Sequence, residues 1–218
     1  KNKKMFYDEK GVYVVDDFIS EERQDWLIKF FVENEEDEPN STPTHFPYYF
    51  NATTNGKYNT ENTRLINNRN TFDHYQFTHM FWYEGNVASE WGKYVVPEFI
   101  PSFNEFFGCD DYQILRCKLN LTTPQPRNGK IISPHTDGQQ RTWSIVYFVN
   151  DVPNSLTLIG KDLWDGKKKD KFRISKKIKC KKGRAILFDS RRFHSAGRCP
   201  EGYFRMVVNI VVGHQDEL

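Results

Sequence analysis

Residues 205–212 read RMVVNIVV, and this run decides the fold class. Successive side chains of a β-strand point to opposite faces. The run therefore divides into Arg205, Val207, Asn209 and Val211 on one face and Met206, Val208, Ile210 and Val212 on the other. A strand that is mostly apolar on both faces is buried on both sides. We expect a central strand between two layers.

Other short β-rich runs lie around this strand. From residue 112 onward they are rich in Val, Ile, Phe and Tyr and are bounded by Gly, Pro, Asn and Asp. No helical pattern alternates with them, which favours a sandwich or barrel over a parallel α/β sheet. The predicted strands are Gln113–Leu121, Ile131–Thr136, Thr142–Asn150, Leu156–Ile159, Phe172–Cys180, Ala185–Phe188 and Tyr203–Val212.

Two helices are predicted before these strands. Ser20 is a good N-cap, and the acidic residues after it suit the positive end of a helix dipole. The apolar stripe of this helix is Trp26, Leu27, Phe30 and Phe31. A second helix is expected over Ser89–Phe107, interrupted by prolines and ended by Gly108. We expect a mainly β (α+β) jelly roll buttressed by N-terminal helices, as one domain over 1–218 with its β core at 112–213.

Composition excludes several classes of protein. The formal net charge of the 218 residues is +2, so no global field indicates nucleic acid or membrane. No apolar run approaches the roughly 18 residues that span a bilayer. The basic N-terminus has no apolar stretch after it, so no signal peptide is predicted. The four cysteines form no Cys-x-x-Cys pair and indicate free thiols in a reducing compartment, so we expect a cytoplasmic protein.

The candidate metal ligands are His135, Asp137 and His194. On an extended backbone residues i and i+2 point to the same face, so His135 and Asp137 can converge on one ion. His194 follows Asp137 by 57 residues, after an apolar strand that can return the chain to the same place. Two imidazoles and one carboxylate leave open positions and form the facial ligand set of non-haem Fe(II) oxygenases. The same set also suits zinc.

Arg205 favours iron over zinc. It opens the strand that is buried on both faces, where a cation is costly unless it is paired. A bound dicarboxylate would pair it through a bidentate contact, and the alternative is an ion pair with Asp189. Arg191 and Arg192 flank His194 and either receive an anionic substrate or are turn residues. Residues 161–184 carry twelve Lys or Arg against three Asp, which indicates a lysine-guarded edge strand more than a nucleic-acid surface.

Taken in order, these motifs resemble the 2-oxoglutarate/Fe(II)-dependent dioxygenase superfamily. The likeness is greatest to its prolyl 4-hydroxylase-like branch, including small hydroxylase-like proteins of marine phages. It covers residues 112–212, and a weaker likeness covers Val12–Phe31. The segments that carry it are Leu115–Leu121, Ser133–Gly138, Ser144–Asn150, Gly183–Asp189 and Arg205–Val212. The Gly-Gly-Glu-like turn of many relatives is replaced by residues 152–158, VPNSLTL.

The resemblance implies a double-stranded β-helix that binds Fe(II), 2-oxoglutarate and O₂. It implies that His135, Asp137 and His194 hold the metal, that Arg205 holds the cosubstrate, and that Asn120, Tyr147 and Asn209 line its pocket. The implied reaction is hydroxylation of a C–H bond, on a peptidyl proline, another protein side chain or a small molecule. The alternatives are a nucleic-acid-modifying oxygenase and a non-catalytic jelly-roll module that binds metal.

Overall fold

The structure is a computed structural model that describes residues 7–32, 46–51, 76–124, 134–166 and 171–214. Its helices are α1 (Glu21–Val32), α2 (Gly92–Val95) and α3 (Ile100–Phe107), with a 3-10 turn at Val96–Phe99 between the last two. Its strands are β1 (Val12–Val15), β2 (Tyr49–Asn51), β3 (Gln76–Tyr83), β4 (Asn86–Val87), β5 (Gln113–Thr122), β6 (Trp143–Phe148), β7 (Leu156–Leu163), β8 (Ile174–Lys179), β9 (Ala185–Asp189), β10 (Arg192–Ala196) and β11 (Arg205–Gly213).

The described strands form two antiparallel sheets. The larger sheet has the order β1-β9-β6-β11-β5-β3-β2, with β4 paired to β3, and the smaller has the order β10-β7-β8. Neighbours in these sheets are mostly not neighbours in sequence, as in a jelly roll. The predicted mainly β jelly roll is confirmed, and the single-domain organisation stays a prediction. Among the described helices, none has the length and apolar composition that a membrane crossing needs.

Strand β11 lies in the middle of the larger sheet and is buried along its whole length. Met206, Val208, Ile210 and Val212 pack into the core beneath the helices, whereas Val207 joins the core between the two sheets. The alternation predicted from RMVVNIVV is therefore present. One face of this strand serves the helical layer, and the other faces the interior between the sheets.

Helix α1 begins as its sequence predicts. The Ser20 hydroxyl accepts a hydrogen bond from the backbone N–H of Arg23 at 3.4 Å. Leu27 and Phe31 are buried, while Trp26 and Phe30 stack on each other with ring centroids 4.7 Å apart. The N-terminal helix therefore packs an aromatic layer on the larger sheet.

The predicted second helix is shorter than expected at its start and is divided. Regular helix begins at Gly92 rather than Ser89, and the 3-10 turn contains Pro97, whose ring cannot continue an α-helical hydrogen-bond ladder. The segment ends at Gly108, which adopts φ 67°. Because glycine has no Cβ atom, this left-handed conformation is not strained.

Several strand bounds differ from the prediction. Strand β7 continues to Leu163, beyond the predicted Ile159, because it pairs with both β8 and β10. Strand β8 lies at the edge of the smaller sheet and carries exposed lysines, as predicted for the basic segment. The predicted strand Ile131–Thr136 lies partly outside the described residues, and its described part is an isolated bridge at His135.

Candidate metal centre and its pocket

The three predicted metal ligands meet at one point. One ligand atom from each of His135, Asp137 and His194 lies within 4.8 Å of the others. The backbones of His135 and His194 form an antiparallel bridge, with N–H to carbonyl distances of 3.0 and 2.9 Å. The N–H groups of Asp137 and Gly138 both donate to the Ser190 carbonyl, at 3.0 and 3.1 Å. The segment that carries His135 and Asp137 is thus held along the β9–β10 turn by backbone hydrogen bonds.

The imidazole of His194 is oriented for coordination. Its Nδ1 lies 3.1 Å from the Arg192 carbonyl oxygen. A carbonyl only accepts, so Nδ1 carries the proton and Nε2 presents its lone pair. That Nε2 is 3.5 Å from Oδ2 of Asp137. A hydrogen bond from the second ring nitrogen is the usual way in which proteins orient a metal-binding histidine.

The Asp137 carboxylate is held on both oxygens. Arg116 donates to Oδ1 at 2.7 Å, and Asn209 donates through Nδ2 to Oδ2 at 3.0 Å. Arg116 also donates to Oδ1 of Asn209 at 2.6 Å, which closes a triangle of three side chains. Burial alone would raise the pKa of Asp137, but positive charge on His194, on Arg116 and on His135 and the Asn209 hydrogen bond hold it well below its usual range in the metal-free site; once the imidazoles are neutral, Arg116 and Asn209 still lower it. The carboxylate is therefore ionised and ready to bind a cation.

Arg205 lies in the same pocket as the three ligand side chains. It is 3% exposed, and its guanidinium donates to the Thr157 hydroxyl at 2.9 Å and lies 5.4 Å from the Phe148 ring centroid. Its Nε has no hydrogen-bond partner, and burial lowers the pKa of Arg205. No ion pair links it to an acid within the described residues. The alternative pairing with Asp189 is not formed, because that carboxylate accepts hydrogen bonds from Arg191 and Tyr7 instead.

Asn120 and Asn209 are placed on the pocket side, whereas Tyr147 is not. Asn120 lines the pocket, and its Oδ1 is buried without a hydrogen-bond partner. Tyr147 points to the opposite face of β6 and packs edge-on against Phe99 beneath the helices, with ring centroids 5.1 Å apart. The neighbouring Val146 lines the pocket in its place. The prediction that Tyr147 lines the cosubstrate pocket is wrong, because the adjacent residue Val146 is the one whose side chain faces the pocket.

Arg191 and Arg192 are engaged by protein groups. Arg191 pairs with Asp189 at 2.8 Å and with Glu9 at 3.0 Å. Arg192 is buried and donates to the carbonyl oxygens of Gly160, Lys161 and Glu9. Both guanidinium groups tie the N-terminal segment and β7 to the β9–β10 turn. Of the two readings that the sequence left open, these contacts support turn residues and not substrate binding.

Arg116 and Lys118 were missed in the sequence. Both precede Asn120 on β5 at alternating positions, and the register places Lys118 opposite Asn209. Lys118 lines the pocket, and burial together with the charge of Arg116 lowers the pKa of Lys118 to about 8. The alternation of polar and apolar residues in Leu115–Leu121 was the signal that could have identified them.

Two further histidines, His79 and His214, are buried and have protein partners. His79 lies between the Pro47 carbonyl at 2.8 Å and the Ser89 hydroxyl at 2.7 Å, so both ring nitrogens are satisfied by protein groups. His214 pairs with Asp111 at 3.1 Å.

Solved structures share this fold, although no protein-family model and no curated sequence matches the chain. A 2OG-Fe(II) oxygenase family oxidoreductase from Burkholderia pseudomallei has a TM-score of 0.61 at 10% identity, over 93% of this chain and 85% of its own. The non-heme alpha ketoglutarate dependent epimerase SnoN from nogalamycin biosynthesis has a TM-score of 0.59 at 11% identity, over 94% and 78%. A prolyl hydroxylase from Trichoplax adhaerens has a TM-score of 0.49 at 14% identity, over 95% and 86%.

The last of these likenesses does not distinguish one branch of oxygenases from another, so the prolyl 4-hydroxylase-like branch stays a prediction. The first two share the overall fold of this chain, at TM-scores of 0.61 and 0.59. The chain therefore has the double-stranded β-helix fold of the 2-oxoglutarate/Fe(II) oxygenases.

Proposed function

We propose that this chain is an Fe(II)- and 2-oxoglutarate-dependent oxygenase that hydroxylates a C–H bond. One observation carries the proposal. A buried arginine that forms no ion pair among the described residues shares a pocket with two imidazoles and a carboxylate that converge on one point. A metal alone would account for His135, Asp137 and His194. It would leave the buried cation of Arg205 unexplained.

The ligand set fits a metal ion with open coordination positions. Two neutral imidazoles and one carboxylate suit Fe(II), and three ligands on one side leave the other side for a chelating cosubstrate and O₂. The Arg116–Asn209–Asp137 triangle fixes the carboxylate in place. Outer contacts of this kind typically change metal affinity by about 10–100-fold when they are removed.

Arg205 fits a carboxylate at the inner end of the pocket. A buried cation that is left unpaired is costly, and an incoming carboxylate would relieve this cost. The Thr157 hydroxyl beside the guanidinium offers a second donor to such a group. Arg205 and Asn209 share one face of β11 four positions apart, about 13 Å along the strand. The arrangement suits an elongated diacid with one end at the metal and the other near Arg205.

When bound, iron and 2-oxoglutarate supply the oxidising chemistry, in which O₂ converts the cosubstrate to succinate and CO₂ as a C–H bond is oxidised. The chain's own residues bind and orient. The three ligands fix the metal, Arg205 and Thr157 fix the distal carboxylate, and the apolar wall of Val146 and Val207 limits water around them. The substrate proposed from the sequence resemblance is a peptidyl proline, another protein side chain or a small molecule.

The direct test is an anaerobic titration with Fe(II) and 2-oxoglutarate. We expect a visible metal-to-ligand charge-transfer band that saturates at one equivalent of each. His135→Ala should fold, lose the band and form no succinate, while the surface variant Lys177→Ala should keep both. Full succinate formation by His135→Ala would refute the proposed function.

The same titration separates the oxygenase from a non-catalytic metal-binding module and from a zinc site. Binding of Mn(II) or Fe(II) without binding of 2-oxoglutarate would indicate a non-catalytic metal-binding module. Preferential activity with zinc and no response to iron would indicate a hydrolytic site with the same ligand set. Only joint binding of iron and 2-oxoglutarate agrees with the oxygenase.

A further inference from the structure

Lys118 is a cation in the pocket that the proposed function does not use. It lines the same pocket as the metal ligands, and the register sets it directly opposite Asn209, which holds Asp137. Within the described part of the chain, no residue forms a hydrogen bond or an ion pair with its ammonium group. The Asp137 carboxylate, which could have been its partner, is already engaged by Arg116 and Asn209.

The charge of the pocket is unbalanced even when the centre is loaded. Arg116, Lys118 and Arg205 contribute three positive charges against the single carboxylate of Asp137. A divalent metal ion and a dianionic cosubstrate cancel each other, so a surplus of two positive charges remains. In a partly buried site, where charges are screened less than at the open surface, such a surplus attracts an anion.

The cosubstrate cannot provide both missing partners. A diacid that chelates the metal through one end has one carboxylate left, and Arg205 at the inner end of the pocket takes it. Lys118 lies at the level of Asn209, four positions from the level of Arg205, which is about 13 Å along the paired strands. It is therefore beside the metal centre rather than beside the distal carboxylate.

We propose that Lys118 forms a second anion subsite, which binds a carboxylate or phosphate group of the primary substrate next to the metal centre. The proposal rests on the oxygenase function above and adds the substrate class, an anionic molecule or side chain. A lysine suits this role because its ammonium offers three donors as a point charge that can follow the substrate. Arg116 stays bound to Asp137. Its positive charge repels that of Lys118, and an anion of the substrate beside Lys118 would reduce this repulsion.

The test uses inorganic phosphate as the probe. Wild type, Lys118→Met and Lys118→Arg are loaded with Mn(II) and 2-oxoglutarate without O₂ and are titrated by calorimetry at constant ionic strength. We expect one phosphate per chain in wild type with a dissociation constant in the millimolar range. We expect binding about tenfold weaker or worse in Lys118→Met and largely retained in Lys118→Arg. Removing one charged hydrogen-bond donor accounts for a change of this size.

The following results would overturn the subsite. They are the absence of saturable phosphate binding to wild type, equal binding to Lys118→Met, and release of 2-oxoglutarate by phosphate in place of added binding. A fall in 2-oxoglutarate affinity in Lys118→Met that matches the fall for phosphate would also overturn it, since Lys118 would then serve the cosubstrate.

Failure of the oxygenase function is distinguishable from failure of the subsite. The phosphate titration is repeated on the metal-free Arg205→Met variant and on the same variant with Lys118→Met added. Loss of phosphate binding on adding Lys118→Met supports the subsite even if iron and 2-oxoglutarate do not bind. Equal phosphate binding by the two proteins overturns the subsite even if iron and 2-oxoglutarate do bind to the wild-type protein.

Discussion

Replacing Arg205 with Met should stabilise the ligand-free protein and at the same time remove its affinity for 2-oxoglutarate. Arg205 is 3% exposed, forms no ion pair among the described residues, and has an Nε without a hydrogen-bond partner. Methionine has a similar length and fits the apolar contact with Phe148. Replacing buried charges with apolar residues of similar volume often stabilises proteins, by about 1–4 kcal/mol.

The loss of the hydrogen bond to Thr157 offsets about 1 kcal/mol of this gain. We therefore expect a net increase of up to about 3 kcal/mol in the free energy of unfolding. For a chain of this size each kcal/mol shifts Tm by about 2–4 °C, so Tm should rise by several degrees. Differential scanning calorimetry of the metal-free proteins measures this shift.

The affinity of Arg205→Met for 2-oxoglutarate should decrease, although its stability increases. Removing one partner of a buried charge pair costs about 2–5 kcal/mol, which corresponds to a roughly 30- to several-thousand-fold weaker complex. The anaerobic charge-transfer titration measures this loss, and Arg205→Lys, which keeps the charge, should lose less. A variant that is less stable than wild type and binds 2-oxoglutarate normally would refute the reasoning, because Arg205 would then be a structural residue with a protein partner.

Three other perturbations test separate parts of the structure. Asn209→Ala removes a donor to Asp137 and should weaken Mn(II) binding by about 10–100-fold with little change in fold, as read by calorimetry and circular dichroism. Lys118→Met should stabilise the metal-free protein at neutral pH, and this advantage should shrink as pH rises. Burial and Arg116 lower the pKa of Lys118 to about 8, below the roughly 10.4 of an unfolded lysine, so between these values the unfolded chain binds more protons and wild-type stability increases with pH. A gap in Tm that stays constant from pH 7 to about 10 would contradict this. Gly92→Ala places a Cβ 2.4 Å from the Phe81 carbonyl oxygen and should lower the free energy of unfolding by about 1–3 kcal/mol, whereas Gly108→Ala, which meets no atom within 4 Å, should lower it only by the cost of its left-handed backbone, about 1–2 kcal/mol. Urea denaturation compares the two glycine variants.

Much of the fold and the metal site could be predicted because the deciding patterns are local. The run at 205–212 fixed its own two faces by alternation, and the spacing of His135 and Asp137 placed both on one face. The return of His194 to this pair follows from the antiparallel strands between them. The first two inferences need one strand each and no knowledge of distant contacts.

The errors arose where the direction or the partner of a side chain depends on a neighbouring strand or on a segment far away in the sequence. Tyr147 was assigned to the pocket through the family resemblance, and the sequence could not correct this because strand β6 is apolar on both faces and does not show which residues face the pocket. Only the pairing of Tyr147 with Val208, whose side chain enters the helix-side core, settles its direction. Arg191 and Arg192 are bound by Tyr7 and Glu9, more than 180 positions away along the chain, and no local pattern reports such contacts.

The two faces of β11 give the chain a built-in check on its own folding. Met206 and Val208 pack against the helical layer. Their immediate neighbours in sequence, Arg205 and Asn209, line the pocket on the other face. A slip of the strand by one residue would exchange the two sets, burying a guanidinium under the helices and presenting methyl groups to the metal. Misregistered molecules would thus lose stability and the pocket together, so any molecule that forms the intact pocket has a correctly registered sheet.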